Sequence, residues 1–387
     1  MIRPSRAVER LGASQRGLGD RLPKPRVATM VKLSSGDPSF ATPAYVMAAA
    51  TRAMQEGYTH YPPPPGDPAL REAIAAYQAR LSHVPLSAAE VQVTAGATGA
   101  ISAAMLAFLD PGDEVLLLDP TYSLYVDLAR TVGATAVFVP LTRTFEVDLD
   151  AVAQAITPRT RMLVLNYPSN PTGQLLAPGE LDGLAEIATR HDLVVLADEA
   201  YDQLVFQGEH RSVLGHPGLT ARTVLVNTFS KTYAMTGWRL GWVAATGDLI
   251  KPIRTMNRSV LGAPSAISQR AGLEALTNEP EDRTWRAWML DQYRRQRQAL
   301  WEPLTRIPGL QVYDPEAAFY LWVRYEAPLS SVDMMKYLYE RGLFIRPGTE
   351  FGAMGEGHIR FCFAPAVDVI EAGVAIFTAA MAELRAR

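Results

Sequence analysis

The chain has 387 residues, 48% hydrophobic and 20% charged, with 37 basic against 40 acidic side chains. That length and apolar content fit one large and one smaller folded domain and exclude disorder, and a net charge of −3 provides no basic field to draw nucleic acid or lipid. The single Cys362 excludes an internal disulfide and the six histidines show no metal-ligand spacing, so the expected setting is reducing, without a structural metal, and with small molecules or a second copy of the chain as partners.

The start carries arginines at 3, 6, 10, 16, 21 and 26 but no apolar signal core, and Glu9 and Asp20 interrupt the basic series. It reads as a structural arm laid over a partner subunit rather than as a targeting segment. No apolar run reaches the roughly 18 residues of a membrane helix; a cytoplasmic protein is expected.

Strand-length apolar runs follow at Val91 to Thr94, Glu114 to Leu118, Thr135 to Val139, Met162 to Asn166, Leu193 to Ala197 and Thr223 to Asn227. Helix-length segments alternate with them: Ala100 to Leu109, Tyr122 to Val132, Leu149 to Ile156 and Pro178 to His191. Strands buried on both faces and joined by crossover helices predict a mostly parallel α/β sheet. In such sheets ligands bind beyond the carboxyl ends of the strands, so the residue types there carry the information.

After Val91 to Thr94 comes Gly96-Ala97-Thr98-Gly99, where glycines and a helix start offer backbone N–H groups to an anion. After Met162 to Asn166 comes a proline-punctuated turn presenting Asn170. Leu193 to Ala197 leads into Asp198-Glu199-Ala200-Tyr201, an acid at a buried strand end that needs a partner. Thr223 to Asn227 leads into Thr228, Ser230 and Lys231, and Arg239 opens a further strand-like run to Ala244. An antiparallel course for that run would put Arg239 on the same edge as the others.

A lysine amine beside an anion site, with a buried acid and a phenol, suits pyridoxal 5'-phosphate. Lys231 would condense with the cofactor aldehyde and later move the substrate's α-proton, with the cofactor as electron sink. Asp198 would hold the pyridine nitrogen protonated: a carboxylate about 4 Å away at an effective dielectric near 20 gives roughly 4 kcal/mol, or about three pKa units. Asn170 and Tyr201 would hydrogen-bond the ring's 3-oxygen. Arg239, Thr228, Ser230 and the Ala97 and Thr98 amides would cradle the phosphate.

Asn170-Pro171-Thr172-Gly173, Asp198-Glu199-x-Tyr201 and Ser230-Lys231 through Gly237-Trp238-Arg239 resemble, in order and separation, the class I and II aminotransferases among fold type I pyridoxal-phosphate enzymes. The resemblance covers nearly the whole chain and is strongest to bacterial aspartate, aromatic and broad-range members. It implies a mostly parallel seven-stranded sheet with helices on both faces, plus a smaller α+β domain. It also implies a homodimer with shared active sites, a large cofactor domain at about 47–285, and a small domain formed from 1–46 and 286–387. By local match, Tyr122 corresponds to the aromatic stacked on the cofactor, Tyr61 to a tyrosine reaching the partner subunit's cofactor phosphate, and Gly36 to a glycine whose backbone meets the substrate carboxylate. Without the resemblance, Tyr122 also reads as core packing and Tyr61 as a turn aromatic.

His358 to Phe363 alternates as a strand, with Ile359, Phe361 and Phe363 on one face and Arg360 and Cys362 on the other. A guanidinium there is costly unless it meets a carboxylate, and its fork suits an amino acid's α-carboxylate. An internal Asp or Glu is the alternative partner. The implied activity is ping-pong transfer of an amino group to a 2-oxo acid, with 2-oxoglutarate the acceptor on family grounds.

Substrate identity stays open between aspartate, aromatic and broad range. Thr98 stands where some dicarboxylate-accepting relatives carry a lysine, and Arg258 and Arg143 are the arginines considered for a second cation. Rival readings are a lyase, eliminating, cyclising or oxidising enzyme on the same fold, and a non-catalytic cofactor sensor, which would need a DNA-binding segment for which thirty residues are too few.

Overall fold

The computed structural model describes residues 3–12, 14, 16–18, 22, 23, 25 and 27–386; Asp20, Arg21 and Arg26 of the arginine-rich start lie outside them. Among the described residues, seven strands form the central sheet, in the order Val91–Thr94, Gly241–Ala244, Thr223–Thr228, Val194–Asp198, Thr160–Asn166, Glu114–Asp119 and Thr135–Pro140. Gly241–Ala244 runs antiparallel to both neighbours and the other adjacent pairs are parallel.

The apolar runs are continuous because both sheet faces are covered. Val115, Leu117, Met162, Val164, Val224 and Val226 pack into one core cluster with helix Gly96–Phe108. Their alternates Leu116, Leu118, Leu163 and Leu165 pack into another with helix Pro178–Arg190. The last strand, Thr135–Pro140, is the more exposed edge and ends on a proline, as edges tolerate.

Among the boundaries that differ from the sequence reading, two do so for the same physical reason. The helix after the first strand opens at Gly96 rather than Ala100, through φ +70° at Gly96. The antiparallel strand opens at Gly241 rather than Arg239, because Arg239 takes a left-handed conformation, φ 53°. Both bends lie at the edge where the site forms.

A second, four-stranded antiparallel sheet has the order Arg346–Pro347, His358–Cys362, Tyr320–Tyr325 and Leu310–Val312. Val31–Lys32 pairs in parallel with Leu343–Phe344, which ties the start of the chain to its end. Helix Glu279–Thr305 runs 27 residues, about 40 Å at 1.5 Å per residue. Trp285 in it packs against two core clusters, one under each sheet, so position 285/286 falls inside a continuous helix. Among the described residues no helix is long and apolar enough to cross a membrane, and no cluster of His, Cys, Asp and Glu could hold a metal ion.

Candidate active site

The carboxyl ends of the central strands open into a cavity of about 350 Å³ that also receives residues from the second sheet and the N-terminal arm. It is lined by twelve of the fourteen residues singled out from the sequence, Gly36, Ala97, Thr98, Tyr122, Asn170, Asp198, Tyr201, Thr228, Ser230, Lys231, Arg239 and Arg360; Gly96 and Tyr61 are not among the lining residues. Tyr61 is fully exposed, at 102%, outside the cavity of its own chain.

Neighbouring strand ends build the floor. Asn166 and Asp198 are register partners, and Asn166 Nδ2 donates to the Asp198 carbonyl at 3.2 Å while Asn166 Oδ1 accepts from the Asn170 amide at 3.0 Å. The Asp198 carboxylate accepts from the Tyr125 hydroxyl at 2.7 Å and from the Ala200 amide at 3.2 Å. Burial pushes its pKa up to about 6 against the pull of those hydrogen bonds, so the site contains an acid whose charge lacks a cation in contact.

Lys231 lies in the short helix Phe229–Thr232, which Thr228 caps by accepting from the Ser230 amide at 3.2 Å. Its Nζ donates to the Gly36 carbonyl at 2.6 Å. Burial pulls the ammonium down to about 8, and Arg239 and Arg360 add to the fall while Cys362 and Asp37 oppose it. Gly36 has no room for a side chain: a Cβ there would sit 2.3 Å from the Tyr320 hydroxyl oxygen.

Helix Gly96–Phe108 has no side-chain cap, so its first amides are left for a ligand. Arg239 approaches that end closely; a Cβ on Gly96 would lie 2.8 Å from Arg239 Nη2. Ala234 and Arg239, both with left-handed backbone, bracket the loop that aims the guanidinium. Such conformations cost about 1–3 kcal/mol each and persist where surrounding contacts impose them.

Arg360 is 5% exposed. It donates to Asn170 Oδ1 and to the Ser34 carbonyl, both at 2.7 Å, and its Cζ lies 4.1 Å from the Tyr320 ring centroid and 4.7 Å from that of Phe351. Its Nε has no hydrogen-bond partner among the described residues. Among the described residues no carboxylate forms an ion pair with it, so the internal acid considered from the sequence is absent at ion-pair distance; the acid on this wall, Glu350, pairs with Arg346 instead.

Other participants were not singled out from the sequence. Tyr125, three residues after Tyr122, holds Asp198. Tyr320 shares a 2.8 Å hydrogen bond with the Tyr201 hydroxyl. Arg16, Arg346 and Glu350 line the wall. Only Tyr125 had a signal, its three-residue spacing from Tyr122 in a segment read as helical from the sequence; Arg258 and Arg143 do not line the cavity.

The class I and II aminotransferase pattern matches residues 28–376. The chain is 38% identical to the aspartate/prephenate aminotransferase of Thermus thermophilus over 341 residues, 87% of this chain and 86% of that one. Among solved structures, Thermus thermophilus aspartate aminotransferase with maleate superposes with a TM-score of 0.87 at 35% identity, covering 98% and 97% of the two chains. The aromatic aminotransferase of Pyrococcus horikoshii gives 0.88 at 33%, covering 95% and 99%. The chain belongs to the class I and II aminotransferases, with the fold type I architecture.

That family uses pyridoxal phosphate, and the residues present fit it. A buried amine of lowered pKa faces the same cavity as a buried acid lacking a cation, and an uncapped helix end stands beside Arg239.

Proposed function

We propose that this chain transfers the α-amino group of an L-amino acid to a 2-oxo acid by a ping-pong mechanism dependent on pyridoxal 5'-phosphate. The observation that carries the reading is Arg360: a buried guanidinium without a carboxylate, opening on the same cavity as the Lys231 amine. A buried unpaired cation is expensive, and an incoming α-carboxylate compensates it with a bidentate contact. When bound, the cofactor supplies the aldehyde that takes up the amino group and the ring that accepts the electrons of the breaking Cα–H bond.

The protein's residues do the rest. Lys231 would hold the cofactor's aldehyde carbon, and its free Nζ would be the base for the α-proton; a value near 8 leaves a useful neutral fraction at the pH of a working base. The Asp198 carboxylate, steadied by Tyr125, holds the pyridine nitrogen's proton. Asn170 has its Oδ1 occupied by Arg360, so its amide NH2 is the group offered to the ring's 3-oxygen, with the Tyr201 hydroxyl. Ala97, Thr98, Thr228, Ser230 and Arg239 would hold the phosphate, Tyr122 would pack against the ring, and the Gly36 backbone would meet the substrate beside Arg360.

A homodimer completes the site in this reading, with Tyr61 reaching the partner subunit's phosphate. Its full exposure, together with the 60% and 51% exposure of the apolar Val260 and Met54, supports a covered face. The large domain is assigned to 47–285 and the small domain to 1–46 with 286–387, hinged within helix Glu279–Thr305. 2-Oxoglutarate is the proposed acceptor.

The test is a panel of L-amino acids added without acceptor. One equivalent of 2-oxo acid per subunit, then arrest, is expected. Ammonia release or continued turnover without acceptor would instead indicate elimination or oxidation.

A further inference from the structure

The central sheet brings Arg239 to the site's edge without setting the direction of its guanidinium. The antiparallel strand begins only at Gly241, and Arg239 itself is exposed, with left-handed backbone at φ 53°. The loop that leads to it from Lys231 also turns through Ala234 at φ 49°. Two left-handed residues other than glycine in one short loop need contacts from outside it, and those come from a segment far earlier in the chain.

Thr42 makes two of them. Its Oγ1 donates to the Ala234 carbonyl at 2.8 Å and accepts from Trp238 Nε1 at 3.0 Å, so one hydroxyl joins the residue that turns the loop to the residue just before Arg239. Asp37 makes a third, accepting from Thr236 Oγ1 at 2.6 Å, and the Thr236 carbonyl in turn accepts from Arg239 Nη1 at 2.9 Å. Behind the loop, Ser268 Oγ donates to the Trp238 carbonyl at 3.1 Å. Asp37 is exposed and its contact is weakened by water. Thr42 is 9% exposed and does not line the cavity, so its contacts are shielded and it touches neither cofactor nor substrate.

We infer that Thr42 is a positioning residue for the phosphate site: through Ala234 and Trp238 it fixes the loop that aims Arg239 at the start of helix Gly96–Phe108. The inference rests on the pyridoxal-phosphate reading above. Without the hydroxyl, the Ala234 carbonyl and the Trp238 ring N–H lose their partner, which is costly away from water. The left-handed turn then relaxes and the guanidinium leaves the helix end. The loss falls on phosphate recognition; the residues assigned to the cofactor ring, Asp198, Asn170 and Tyr122, stand on other elements.

The experiment measures binding of pyridoxal 5'-phosphate, of pyridoxal, which lacks the phosphate, and of inorganic phosphate to the full chain freed of cofactor. The variants are Thr42→Val, Thr42→Ser, Trp238→Phe, Arg239→Gln and the pair Thr42→Val with Arg239→Gln. Thr42→Val keeps the side chain's shape, and it is expected to weaken pyridoxal 5'-phosphate and inorganic phosphate about tenfold and pyridoxal by no more than about twofold. Thr42→Ser, which keeps the hydroxyl, should restore the preference for the phosphorylated form. Trp238→Phe breaks only the second contact and should lower that preference by less, which carries the test if Thr42→Val does not fold. In the Arg239→Gln background, Thr42→Val should cost phosphate binding nothing further. An unchanged preference in Thr42→Val or Trp238→Phe, equal weakening of both pyridoxal forms, or an added loss in the Arg239→Gln background would each overturn the role of Thr42 alone. Unaltered protein that binds pyridoxal 5'-phosphate no more tightly than pyridoxal would overturn the cofactor reading and this assignment together.

Discussion

At the cofactor end of the cavity, Asn170, Asp198, Lys231 and Arg239 stand within a few residues of the ends of adjacent strands in one sheet. At the substrate end, Arg360 sits on a strand of the second sheet, and Gly36, Arg16, Arg346 and Glu350 arrive from both extremities of the chain. The first end is held by backbone register, the second by packing between distant segments. The cofactor end should therefore tolerate changes at the substrate end, and each can be disabled separately.

Replacing Lys231 should have the largest effect. Lys231→Ala removes both the covalent anchor and the base, and turnover should fall on the order of 10⁴-fold or more, measured as single-turnover release of oxo acid. Arg360→Gln comes next. Truncating a buried, hydrogen-bonded charge partner costs about 2–5 kcal/mol, so kcat/KM should fall roughly 30- to 4,000-fold for every amino acid while cofactor content stays whole. Loss of cofactor from this variant would break the proposed independence of the two ends.

Gly36→Ala probes the place where the ends meet. Its Cβ would collide with Tyr320 and Phe319, and overpacking of this kind costs about 1–3 kcal/mol, to be read as a lowered thermal midpoint and a weakened hold on Lys231. Tyr125→Phe should be mildest, at about 1 kcal/mol, or several-fold in cofactor affinity. It removes a hydrogen bond that lowers the Asp198 pKa, so the acid-side loss of cofactor should move to higher pH. In cofactor-free protein the sign reverses. The folded value near 6 lies above the ordinary 3.8, so the contribution of Asp198 to stability is present below 3.8 and lost as pH rises through 6. Melting temperatures of the apoprotein and Asp198→Asn across that window check it.

Legibility in the sequence follows the same division. Buried parallel strands show as unbroken apolar runs, and the residues just past them are contiguous in the chain, so the six runs and the lysine, acid, asparagine and arginine beyond them were readable directly. The strand alternation around Arg360 marked it as well. Tyr320, Arg346 and Glu350 lie in ordinary-looking apolar or turn segments and gain meaning only when the second sheet folds beside the first. Arg16 looked like one arginine among six. The start of helix Gly96–Phe108 and the start of the strand after Arg239 fall a few residues from where apolar periodicity puts them, because left-handed backbone at Gly96 and Arg239 sets them and periodicity does not register a dihedral angle.

Every role proposed for the site depends first on Lys231 carrying the cofactor. The sequence has five lysines, at 24, 32, 231, 251 and 336. Borohydride reduction of the protein with pyridoxal phosphate, followed by peptide mass spectrometry, should place one label per chain on Lys231 and none on the others. A label on a different lysine, or protein that keeps full transaminating activity with Lys231 unlabelled, would contradict it.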